Sequence, residues 1–186
     1  CDDTDDCVGE YDECQVCNGP GAIYDCGCES ALICWDDSEV CDLDSCPIEP
    51  YFVLDLDETG ESTLFIFQDT ITNLDVNDQI ALFDLNGIID SEGNTGEVLV
   101  GTGFWQGSQL EITAITSVDL SQFGGPILPG AVSGHPMSLK VWDSSDQIEY
   151  NVTYDIAVGS GAFNGLFTAV SEVYLCDIPD GDCDCN

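Results

Sequence analysis

The sequence predicts an all-β protein. The expected architecture is a single β-sandwich, flanked by a disulfide-rich, acid-rich irregular N-terminal segment and a short C-terminal tail of the same style. Three observations predict it. The twelve cysteines all lie at the two ends, nine within residues 1–46 and three within residues 176–185. Between them, short runs of alternating apolar and polar residues recur, separated by Gly, Asn and Asp turns. No segment carries a sustained helical period of apolar residues.

Taken in order, residues 1–49 hold fifteen acids and nine cysteines among few aliphatics. Such a composition cannot bury enough apolar surface to order itself, so cross-links must hold it. Residues 50–175 form the β domain. Residues 51–57 (YFVLDLD) alternate, and residues 62–68 (STLFIFQ) follow a turn at 58–61. Residues 79–85 (QIALFDL) and 97–105 (EVLVGTGFW) come next, set off by a turn at Asn86–Gly87 and another at 91–96. Further strands are expected at 109–115, 138–143, 148–158 and 164–175. Regular spacing of short strands favours a sandwich or barrel over any α/β plan. The long interruption at 116–136 has the length of a functional loop or of one that covers a sheet edge. Residues 176–186 return to the cysteine- and acid-rich style.

Thirty-seven acids face one lysine, Lys140, and one histidine, His135, for a net charge of −36. Nucleic acid and anionic membrane surfaces are excluded as partners, because both need a basic surface. No run is long and apolar enough to insert in a membrane. The charge repels itself, so cations or ambient salt must offset it. The cysteines are Cys1, Cys7, Cys14, Cys17, Cys26, Cys28, Cys34, Cys41, Cys46, Cys176, Cys183 and Cys185. Their clustering and even total predict disulfides and an oxidising, extracellular or cell-surface location. Both groups are odd, so full oxidation requires at least one bond from the front group to the back group, within a chain or between chains. The start at Cys1, without an initiator methionine or a leader, suggests a processed product or a module of a longer polypeptide.

Calcium is the cofactor this composition predicts, since it takes six to eight hard oxygen ligands. The candidate ligands are Asp2, Asp3, Asp5, Asp6, Glu10, Asp12 and Glu13 at the front, and Asp177, Asp180, Asp182 and Asp184 at the back. Asp42 and Asp44 form a weaker set. An EF-hand is absent: Asp55-x-Asp57-x-Thr59-Gly60 opens like one, but Ile66 falls where the final ligand belongs. Cys14-x-x-Cys17 has no second pair for zinc, and no helix follows it as in a redox motif. No enzyme is expected and no catalytic residue is assigned. His135 stands alone before Pro136, no nucleophile elbow is present, and arginine is absent. Carbohydrate could stack on exposed aromatics among Phe104, Trp105, Trp142, Tyr150 and Tyr154, with Trp105 and Trp142 foremost. Strand alternation sends at least half of these rings to the core. Asn151-Val152-Thr153 matches the N-glycosylation sequon.

Residues 6–21 (DCVGEYDECQVCNGPG), 22–28 (AIYDCGC) and 176–186 (CDIPDGDCDCN) resemble the Cys/Asp-rich segments of large secreted bacterial surface proteins. They are loosely similar to thrombospondin type 3 repeats, which wrap calcium with aspartates. Residues 71–84 (ITNLDVNDQIALFD), 136–143 (PMSLKVWD) and 159–167 (GSGAFNGLF) resemble a β module of the same Bacteroidetes-like proteins, many of them exported by type IX secretion. Asp69-Thr70-Ile71 resembles the O-glycosylation acceptor of such proteins, which makes Thr70 a candidate. The resemblance implies secretion and a β fold and is silent on activity. The function expected from all this is an extracellular structural protein. It would be a protomer or repeat module of a disulfide- and calcium-stabilised fibre, with copies of itself as partners. The alternative is an adhesion module that binds glycans or a cell surface.

Overall fold

The computed structural model describes residues 9–22, 26–28 and 30–176. The chain forms two compact units, residues 1–49 and 50–186. The first is held by cross-links. Cys14–Cys28, Cys26–Cys41 and Cys34–Cys46 close loops that each overlap the next. Cys17 is disulfide-bonded as well. A loop of this size constrains the unfolded chain by roughly 3 kcal/mol. Regular structure is slight: β1 (Leu32–Ile33) pairs with β2 (Glu39–Val40), and a single 3₁₀ turn spans Leu43–Ser45. Cys34 is the one buried residue among the described part of this unit. Disulfides therefore do here what a core does elsewhere, as the composition predicts.

The second unit is a β fold built on one seven-stranded sheet. Its strands are β3 (Ser62–Phe67), β4 (Gln79–Ile88), β5 (Thr95–Phe104), β6 (Leu110–Ile115), β9 (Ser138–Asp143), β10 (Ile148–Val158) and β11 (Phe167–Cys176). Two short strands, β7 (Val118–Asp119) and β8 (Ile127–Leu128), pair within the long loop. The large sheet runs β5-β4-β9-β10-β11-β3-β6, antiparallel throughout except for β11 beside β3. It curls so far that its two end strands meet, making it nearly a barrel. The core is the inner face: Phe65 and Phe67, Ile80 and Leu82, Ile112 and Ala114, Leu139 and Val141, Val170 and Val173. Trp105 and Phe163 fill the middle.

Glycine makes the closure possible. Gly101 and Gly103 pair with Leu82 and Ile80, so they share the inner face. β6 crosses there. A Cβ on Gly101 would stand 2.9 Å from the Thr113 carbonyl oxygen, and one on Gly103 would stand 3.2 Å from Ile112. A side chain at Gly101 would push the strands apart. At one end residues 130–131 link the end of β4 to the end of β6. Gly130 exchanges two 2.9 Å hydrogen bonds with Ile88, Ala131 N–H donates to the Ile115 carbonyl, and Ser117 N–H donates to the Ala131 carbonyl. The long loop does cover a sheet edge.

Two expected elements differ. Residues 51–57 are not a strand. Their alternation is real, since Phe52 is buried and Leu54 and Leu56 are half-buried while their neighbours are exposed. Phe52 lies over the outer face of the sheet rather than along an edge, so no ladder is open to it. The Gln79 side chain stands in for the missing strand: its Oε1 accepts from Phe52 N–H at 2.9 Å and its Nε2 donates to the Phe52 carbonyl at 2.8 Å. Asn86–Gly87 is not a turn. β4 runs through it by way of a bulge between Asp84 and Gly87.

Candidate functional site

The bulge in β4 sets Asp84 at one end of the core, 1 % exposed. Strand alternation from Ile80 and Leu82 turns its carboxylate inward. Its Oδ1 accepts from Asn86 N–H at 2.9 Å and its Oδ2 from Val132 N–H at 2.8 Å. The third partner is the only histidine. His135 Nδ1 lies 3.0 and 2.9 Å from the two carboxylate oxygens. An ionised carboxylate can only accept, so the shared proton belongs to Nδ1, and in the neutral form of the ring the lone pair then lies on Nε2. The backbone around His135 is fixed from both sides. Its N–H donates to the Val132 carbonyl, and its carbonyl accepts from Phe163 N–H. Pro136 bridges to Ala162, and Tyr154 Oη donates to the Met137 carbonyl at 2.8 Å. Burial holds the Tyr154 phenol above its ordinary pKa.

His135 and Asp84 line a cleft of about 380 Å³. Asn86, Ser138 and Tyr154 add polar groups to its wall, and Pro136, Leu139 and Val152 add apolar ones. The size falls at the lower end of small-molecule sites, roughly 300–1,000 Å³. The sequence reading set His135 aside as a lone loop residue. Its partner lies 51 residues earlier. The available signal was charge: a single imidazole among 37 acids is well placed to meet a carboxylate, though nothing says which.

A second cluster lies on the outer face of β4, β5, β9 and β10. Lys140 Nζ reaches Glu97 at 3.1 Å and Glu149 at 3.3 Å, and sits 4.7 Å above the Phe83 ring. Burial pulls its pKa down, but the hydrogen bonds to Glu97 and Glu149 outweigh that and leave it raised. Tyr51 stacks on Trp142 with ring centres 3.8 Å apart and donates to Glu149 at 2.9 Å. That hydrogen bond, with burial and the Glu149 charge behind it, raises the Tyr51 pKa. The cluster straps the chain at residues 51–52 to the barrel.

The candidates from sequence separate clearly. Trp105 is 1 % exposed in the core, so its ring cannot stack on a sugar. Trp142 is half-buried, with one face under Tyr51. Thr70 is exposed, and its hydroxyl donates to the Ser171 carbonyl at 2.8 Å. Asn151 is exposed on the outer face of β10.

Asp12 serves its own loop. Oδ1 accepts from Cys14 and Val16 N–H, Oδ2 accepts from Gly21 N–H, and the Val16 and Gly21 bonds lower its pKa. Glu13 accepts from Ala22 N–H at 2.8 Å, Asp42 caps the Leu43–Ser45 turn through Asp44 N–H, and Glu10 is exposed. Among the described residues no three His, Cys, Asp or Glu side chains converge on a cation position. Asp2, Asp3, Asp5, Asp6, Asp177, Asp180, Asp182, Asp184, Cys1, Cys7, Cys183 and Cys185 lie outside the described residues. The three described disulfides point to an oxidising environment. Among the described residues no helix is long and apolar enough to cross a membrane.

Comparison with family models, curated proteins and solved structures yields no match for this chain.

Proposed function

We propose that this chain is a structural module of an extracellular or cell-surface assembly. The observation that carries the reading is the first unit. Overlapping disulfides hold an acid-rich segment whose described residues bury almost nothing, a design suited to persistence outside the cell rather than to chemistry within it. The filled core of the second unit agrees with a load-bearing role. Calcium belongs to the proposal as the ion that would relieve a net charge of −36. Chelation should then lower the melting temperature, because a ligand specific to the native state raises apparent stability. An unchanged melting temperature would remove calcium from the account. The resemblance to bacterial surface proteins exported by type IX secretion points the same way. Electrophoresis without reductant tests covalent assembly: a ladder of multiples supports it, and a single band near 19.9 kDa contradicts it.

A second reading, adhesion through bound glycan, is favoured by the cleft at His135. The two tryptophans first suggested by the sequence give it less support.

A further inference from the structure

We infer that the cleft beside Asp84 and His135 is a binding site for a neutral carbohydrate, in which Nε2 of the neutral His135 ring accepts a hydrogen bond from a ligand hydroxyl. The inference rests on the adhesion reading and names the site and ligand class that reading lacks.

Charge narrows the ligand first. The chain carries 37 acids, no arginine and one lysine, and that lysine is held by Glu97 and Glu149 on the outer face of the sheet. A phosphate, sulfate or carboxylate ligand would enter a negative field with no lysine or arginine in the cleft wall to meet it. Cations fare little better. The one carboxylate in the cleft wall, Asp84, already spends its oxygens on Asn86 N–H, Val132 N–H and the imidazole. A metal ion would find one ring nitrogen beside a carboxylate already engaged, and among the described residues no three His, Cys, Asp or Glu side chains come together to hold it. A neutral polar molecule remains.

The wall then selects among neutral molecules. Its polar residues carry groups of the kind that exchange hydrogen bonds with hydroxyls: the His135 imidazole, the Asn86 side-chain amide, the Ser138 hydroxyl and the Tyr154 phenol. Its apolar groups, Pro136, Leu139 and Val152 among them, suit the C–H faces of a sugar ring. A sugar presents both characters on one small body. The imidazole is also oriented before any ligand arrives. Asp84 fixes the tautomer, and backbone bonds to Val132 and Phe163 fix the loop. Such preorganisation lowers the cost of binding.

The single histidine makes the test direct, because the imidazole gives one set of NMR signals and no assignment is needed. The full oxidised chain is screened on a neutral and acidic glycan array. It is then titrated with the neutral oligosaccharides that bind, while the imidazole Cε1–H signal is followed. The expected result is a saturable shift of that signal, and at least tenfold weaker binding in His135→Gln. Array binding that leaves the imidazole signal unmoved would overturn the site while leaving adhesion standing. Binding confined to acidic glycans or to peptides would overturn the ligand class. Silence across the array would overturn both. If His135→Gln fails to fold, the imidazole titration of the native chain still decides.

Discussion

The buried carboxylate of Asp84 ties three parts of the second unit together: the bulge at Asn86, the loop at Val132 and the imidazole of His135. Asp84→Ala would strand two backbone N–H groups. It should cost about 1–3 kcal/mol in urea unfolding for each group left without a partner or water. A loss under 0.5 kcal/mol, within the range of about ±0.5 kcal/mol usual for surface substitutions, would show that the link is unimportant. Other acids act locally. Asp90 accepts from the Asn94 side chain and then its N–H, and Asp143 from the N–H of Asp146 and from Ser145. Both pKa values are lowered, as is that of Asp12. A depressed folded-state pKa contributes stability that is fully present above the unfolded value, about 3.9, and is lost as pH falls through the folded value. Carboxyl NMR should therefore show these three still ionised at a pH where a free aspartate has begun to protonate. Ordinary midpoints for all three would contradict their role in the turns.

At the scale of elements, the seam between β5 and β6 decides the fold. Gly101→Val places a branched side chain where even a Cβ would stand 2.9 Å from a backbone oxygen. Overpacking of this kind costs about 1–3 kcal/mol. Gly103→Ala meets only side-chain atoms of Ile112 and Leu110, from 3.2 Å, and should cost less. Equal unfolding midpoints for the two variants would mean the seam is looser than described. The strands themselves were legible because alternation marks them: the expected runs at 138–143 and 148–158 coincide with β9 and β10. Closure was not legible, since a glycine in a strand does not reveal what approaches it. Residues 51–57 show the converse limit. Alternation reports which side chains are covered, and it does not say whether a neighbouring backbone is there to pair with. The candidate site was half legible. His135 was visible as a unique residue, whereas Asp84 is one acid among 37, distinguished only by burial in a fold that had first to close.

At the scale of the molecule, the two units rest on different physics, disulfides in one and an apolar core in the other. Reduction under native conditions should therefore abolish amide protection in residues 9–49 and leave the protection of β3–β6 and β9–β11 intact. Joint loss of protection would contradict the division. Salt should raise the melting temperature, since a net charge of −36 opposes compaction and roughly 1 M salt shortens the screening length to about 3 Å. The single lysine, Lys140, offsets one of the 37 acid charges although it contacts two carboxylates, so neutralisation of the surface has to come from outside. An assembled, cation-bathed surface structure is the setting in which such a molecule is consistent at every scale. Electron microscopy of the native material tests this most directly. Regular filaments or layers whose repeat contains the two-unit module are expected. Discrete single particles of the size of one chain would contradict the structural role.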